Sequence, residues 1–130
     1  MNGLKIHHIG IKVSDLEKSR TLYQKLGYVE ISPSVDDLVQ NNRIQFLVSA
    51  DQAQTIELIQ PLDRASSIFH FSDGYHHVCY DASSEPDFLN RFRHLHVGKI
   101  FTVPITAPAI GNKKVVFALL QNKALVEFLL

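Results

Sequence analysis

The feature that most restricts how this chain can fold is that it repeats itself. The quartet HHIG at 7–10 returns as HHVC at 76–79, which sets His8 against His77 at an offset of 69 residues. Each half also ends on a carboxylate inside an apolar run, Glu57 in TIELI and Glu127 in LVEFLL, at an offset of 70. Two copies of one unit, each with a polar residue at the same two places, point to an architecture in which one module is built twice.

The pattern of each copy is β-α-β-β-β. LKIHHIGIKV (4–13) alternates with the period of a strand. In SDLEKSRTLYQKLGY, Ser14 and Glu17 read as a capping box, Leu16, Leu22, Tyr23 and Leu26 as a helical stripe, and Gly27 as the stop. Strand-like runs follow at 28–32, 43–48 and 55–59, separated by polar loops. The second copy has a strand at 75–81 and then a helix with Ser84 and Asp87 as cap pair. Phe88, Leu89, Phe92 and Leu95 form its stripe, and Gly98 is its stop. Strands at 99–103, 113–120 and 125–130 complete the copy. The fold class expected is α+β: one domain over 1–130, with tandem modules at 4–61 and 75–130 and a linker at 62–74. If the modules pair about a pseudo-two-fold axis, they form a cupped mixed sheet with the helices on its outer face.

The bulk composition narrows the function classes. Thirteen basic residues balance thirteen acidic ones, so charge supplies no reason to expect nucleic acid or an anionic membrane as partner. The longest apolar stretch, VVFALL, is too short to span a bilayer, and MNGLKIHHIG has no apolar signal region. A single cysteine, Cys79, allows no internal disulfide and fits a reducing compartment, so the expected location is cytoplasmic.

An ionised carboxylate taken out of water must be paired, neutralised or coordinated. Two imidazoles and two carboxylates, from His8, Glu57, His77 and Glu127, make a donor set for a borderline divalent cation such as zinc, cobalt, nickel or manganese. Four protein ligands in an open cup leave positions for water or substrate, the pattern of a catalytic rather than a structural centre. Such a cation polarises a carbonyl and stabilises the charge that forms when a proton leaves the adjacent carbon. His7 and His76 alternate onto the opposite strand face and read as packing or hydrogen-bonding residues, and Tyr75, Phe101, Phe117 and Phe128 read as core or pocket wall. Cys79 reads as a small buried residue on the face of His77.

The segments HHIGIKVSDLEKSRTLYQKLGY, HHVCYD, IELIQPLDRASSI and LVEFLL resemble the vicinal oxygen chelate (glyoxalase) superfamily, and within it the methylmalonyl-CoA epimerases. The resemblance covers nearly the whole chain. It implies a divalent metal held by His8, Glu57, His77 and Glu127, with Glu127 doubling as a catalytic base. It also implies a second acid or base before the third strand, where Asp36 and Asp37 are the carboxylates available and Asp37 is the candidate. The function implied is that of an isomerase or epimerase abstracting a proton next to a carbonyl or thioester. The substrate would be a small molecule such as an acyl-CoA thioester, and the assembly a homodimer. Glyoxalase I (lactoylglutathione lyase) and a non-catalytic small-molecule binding protein of the same fold are the alternatives.

Overall fold

The computed structural model describes residues 1–130. The chain divides into two compact units, His8–His76 and Met1–His7 together with His77–Leu130. The segment expected as a linker, 62–74, lies wholly within the first of these.

The His8–His76 unit takes β1 (Lys5–Lys12) from His8 onward, with α1 (Leu16–Lys25), β2 (Val29–Glu30), β3 (Val35–Asp37), β4 (Asn42–Val48) and β5 (Thr55–Pro61). Its strands run in the order β2-β4-β5-β1, with β3 pairing β4 separately. The first strand lies parallel to the last, Gly10 opposite Glu57, while β4 and β5 are antiparallel. Parallel neighbours need a crossover, and the helix belongs to that connection.

Strand alternation sends His8, Gly10 and Lys12 to one face of β1, and Ile11 and Val13 to the other. On the second face Val13, Leu16, Leu47, Ile56 and Leu58 form a buried cluster joined by Ile11, Tyr23 and Tyr28. This cluster seats α1 on the face opposite the histidine and glutamate. Leu16 and Tyr23, seven residues apart, make the inward stripe. Leu22 and Leu26 point outward, 58% and 68% exposed, contrary to the sequence expectation. The cap also differs: the Asp15 carboxylate accepts from Lys18 N–H, while the Ser14 hydroxyl donates to Asp73. A carboxylate at the N-cap is the better partner for the helix's positive end.

The second unit repeats the plan with β6 (Gly74–Asp81), α2 (Phe88–Leu95), β7 (Gly98–Ile100), β8 (Ile105–Ala107), β9 (Lys113–Leu120) and β10 (Leu125–Leu129). The order is β6-β10-β9-β7, with β8 on β9. Here β10 is parallel to β6, Glu127 opposite Cys79. Phe88, Phe92, Phe128, Val116, Ala118, Val126 and Ala82 bury themselves under α2, again on the face away from the glutamate.

The second helix ends on His96, which takes the left-handed conformation at φ 55°, and not on Gly98. Gly98 instead enters β7 opposite Leu120. A Cβ there would come within 2.6 Å of the Leu119 carbonyl oxygen, so the glycine permits close strand approach rather than stopping the helix. Asp87 occupies the N-cap position without making a side-chain cap bond, and its carboxylate accepts from Asn90. No helix is long and apolar enough to cross a membrane.

Candidate metal centre

In the His8–His76 unit, His8 Nε2 lies 3.3 Å from Glu57 Oε1. The histidine is 1% exposed and the glutamate 5%. In the other unit His77 Nε2 lies 3.4 Å from Glu127 Oε1, at 1% and 4% exposure. The same two elements position each pair: the first strand of the copy supplies the imidazole, and the parallel last strand supplies the carboxylate. Parallel pairing is thus what brings together residues about fifty positions apart.

Each pair carries a third member. Phe46 is the register partner of Glu57, and its ring lies 5.0 Å from that of His8, nearly perpendicular at 79°. Phe117 is the register partner of Glu127, and its ring stands 5.5 Å from His77 at 80°. Edge-to-face contacts of this kind are favourable and directional. Beside Glu127 the wall is apolar. Cys79, Ala107, Val115 and Leu129 form a buried cluster in the second unit, with Ile105 and Ile110 against it. Cys79 is fully buried, its thiol 3.8 Å from the Tyr80 carbonyl oxygen.

The donor chemistry fits a divalent cation. Each of His8, Glu57, His77 and Glu127 offers one ligand atom, an imidazole nitrogen or a carboxylate oxygen. Neutral imidazole and ionised carboxylate are the forms that ligate. A cation would offset the cost of holding carboxylates this far from water.

Asp37 is placed differently. It is fully buried, and its carboxylate accepts from the N–H groups of Val39 and Gln40, 3.0 Å each, and from Gln40 Nε2 at 3.1 Å. Three donors from one turn make it a clasp for residues 37–40. Asp36, on the other face of β3, is exposed and forms a forked pair with Arg43 at 2.8 and 3.3 Å. That guanidinium holds the Asp36 carboxyl below its usual range.

Two features carried no weight in the sequence reading. Phe46 lies in the strand-like run at 43–48, and its signal was its place in the strand paired with the one bearing Glu57. Lys12 is 7% exposed and shares the His8 face of β1. Its ammonium donates to the carbonyl oxygens of Phe69, at 3.2 Å, and Phe71, and pairs with Asp73 at 3.5 Å. Ser66 donates to Asn42 at 2.6 Å, so residues 66–73 are strapped down along this side of the unit. The parity of Lys12 with His8 was the signal available. A separate polar cleft of about 350 Å³ at the start of α1 is lined by Ser14, Arg20, Arg43 and Gln60. Its guanidiniums already hold carboxylates, Arg20 with Glu30 and Arg43 with Asp36.

Residues 7–116 match the family model of the Glyoxalase/Bleomycin resistance protein/Dioxygenase superfamily. The chain belongs to this superfamily. No curated protein sequence matches it. Among solved structures it is similar to a hypothetical protein from Bacillus halodurans C-125, with 22% identity, TM-score 0.83, and coverage of 98% of this chain and 94% of that one. It is similar also to methylmalonyl-CoA epimerase from Mycobacterium tuberculosis, with 21% identity, TM-score 0.82, and coverage of 99% and 90%. A variant of Streptomyces coelicolor methylmalonyl-CoA epimerase in complex with 2-nitronate-propionyl-CoA aligns at 19% identity, TM-score 0.79, and coverage of 97% and 96%. At these identities the likeness establishes the fold. The α+β architecture expected from the repeat, and the superfamily that the resemblance implied, are both borne out.

Proposed function

We propose that this superfamily member is a divalent-metal-dependent isomerase or epimerase that moves a proton at the carbon next to a carbonyl or thioester. In this reading His8, Glu57, His77 and Glu127 are the ligands of one ion. The observation that carries it is the duplicated, buried imidazole–carboxylate pair, at 3.3 Å in one unit and 3.4 Å in the other. When bound, the cation supplies Lewis-acid polarisation of the substrate oxygen.

The residues of the chain supply the rest. Glu127 takes the substrate proton; its register partners in the sheet are Cys79 and Phe117. His8 and His77 would ligate through neutral imidazole nitrogens, which lie 3.3 and 3.4 Å from the carboxylates of their own units. Asp37 is assigned to the turn it clasps and not to proton transfer. An acyl-CoA thioester is the substrate class proposed, because proteins of the same fold include methylmalonyl-CoA epimerases, one of them bound to an acyl-CoA analogue. The assembly proposed is a homodimer, to be read from light scattering.

Solvent deuterium exchange at the α-carbon tests the reaction. The purified protein loaded with zinc, cobalt, nickel or manganese is offered a panel of acyl-CoA thioesters in heavy water. Incorporation that disappears in Glu127→Gln supports the proposal. A metal-loaded protein that exchanges no α-proton across the panel contradicts it, and turnover of a methylglyoxal–glutathione adduct instead would favour glyoxalase I.

A further inference from the structure

Phe46 and Phe117 occupy equivalent places in the two units and do the same thing there. Each is the register partner of a buried glutamate, and each sets its ring nearly perpendicular to the imidazole that faces that glutamate. Neither is needed to seat a helix. Strand parity puts both on the sheet face opposite α1 or α2, and the clusters under the helices have their own apolar residues.

The ring torsion of a histidine is soft and has two broad wells, so a strand fixes where the imidazole starts but not where its nitrogens aim. A phenyl ring 5.0 or 5.5 Å away, edge-to-face, limits that swing. Phenylalanine does this without offering Nε2 a hydrogen-bond donor or acceptor of its own. A leucine would fill much of the volume and stay apolar, but it presents no flat face and has its own rotamer freedom.

We infer that Phe46 and Phe117 are positioning residues which hold the imidazoles of His8 and His77 at the angle required to ligate a divalent cation. This rests on the metal reading above. The duplication is the argument: packing alone would not require the same residue type, at the same register and with the same interplanar angle, in two units whose other wall residues differ.

The test uses the full-length chain and cobalt(II) and zinc(II) alone, with no substrate. Phe117→Leu, Phe46→Leu and Phe117→Tyr are titrated by calorimetry, and the cobalt absorption band is recorded for each. Phe117 is half-buried, so a tyrosine hydroxyl there can reach water while the ring stays in place. The expected result is a loss of roughly tenfold or more in metal affinity for both leucine variants, with a shifted cobalt band, the range over which groups behind a ligand act. Phe117→Tyr should bind as the wild type does. Apo-protein melting separates this from unfolding, and Phe117→Leu, at the less buried site, keeps the test open if Phe46→Leu does not fold. Leucine variants that bind cobalt with wild-type affinity and an unchanged band overturn the inference while leaving the metal site standing. A wild-type protein that takes up neither ion overturns both.

Discussion

Replacing Lys12 by methionine tests the strap along the His8 side of β1. The side chain is 9% exposed, and its ammonium serves the carbonyl oxygens of Phe69 and Phe71 as well as Asp73. Two hydrogen bonds from a charged donor are worth about 1.5–3 kcal/mol each, or roughly 3–6 kcal/mol in gross. The ion pair adds little, because Asp73 is 51% exposed and its charge is screened. Against this, methionine no longer has an ammonium to desolvate, a saving of several kcal/mol. The net loss should be about 2 kcal/mol, concentrated in residues 66–73 rather than spread over the unit. Urea denaturation reads the total, and amide exchange reads the place: the N–H groups of Phe69 and Phe71, bonded to the carbonyls of Ser66 and Ile68, should lose protection first. Asp73→Asn is the internal control and should cost less than about 0.5 kcal/mol. If Lys12→Met costs no more than that control, or leaves the exchange of Phe69 and Phe71 unchanged, the ammonium is not what holds the strap.

Other outcomes follow from single residues. Asp37→Ala should lower stability by about 2–3 kcal/mol through the donors it strands, and any loss of activity should track the unfolded fraction. An activity defect in fully folded Asp37→Ala would instead make Asp37 an acid–base residue. Asp81 accepts from the hydroxyl and the N–H of Ser83, which hold its carboxyl below the ordinary value of 3.8, helped by His7 and Lys113. A carboxylate lowered on folding stabilises fully above its unfolded pKa and loses that contribution as pH falls through the folded one. Asp81→Asn should therefore flatten the stability profile below about pH 4 and leave its shape above pH 5 unaltered, as read by urea midpoints across that range. Gly98→Ala drives a methyl into the Leu119 carbonyl and the Leu120 backbone, so it should cost at least 1–3 kcal/mol, roughly the scale of an overpacked core, and loosen the β7–β9 pairing in thermal melts.

How legible was this in the chain? The repeat was, because duplicated quartets and duplicated carboxylates survive as letters. It placed His8 and Glu57 in one copy and His77 and Glu127 in the other, and each pair meets within its own unit. The short strands β3 and β8 were not visible. Three residues carry too little periodicity to announce a strand, and both exist by pairing with β4 and β9. The first helix misled through Leu22 and Leu26, which match a helical period but lie off the stripe that Leu16 and Tyr23 bury. Ser14 looked like a cap because serine often is one; Asp15 beside it is a stronger acceptor, and Asp73, far along the chain, claims the serine. Gly98 read as a helix stop, yet its role depends on how near β9 comes. Phe46 and Lys12 escaped for one reason: their work is set by a neighbouring strand or strap, and register is a tertiary fact.

Metal content is the measurement closest to the central claim. Purified protein dialysed against a mixture of divalent ions and analysed by mass spectrometry should hold one borderline cation per chain. His8→Ala, made in one unit, and Glu127→Gln, made in the other, should each abolish retention if, as proposed, both serve the same ion. Wild-type protein that comes out of dialysis empty, or single variants in either unit that keep their ion with undiminished affinity, would contradict the account.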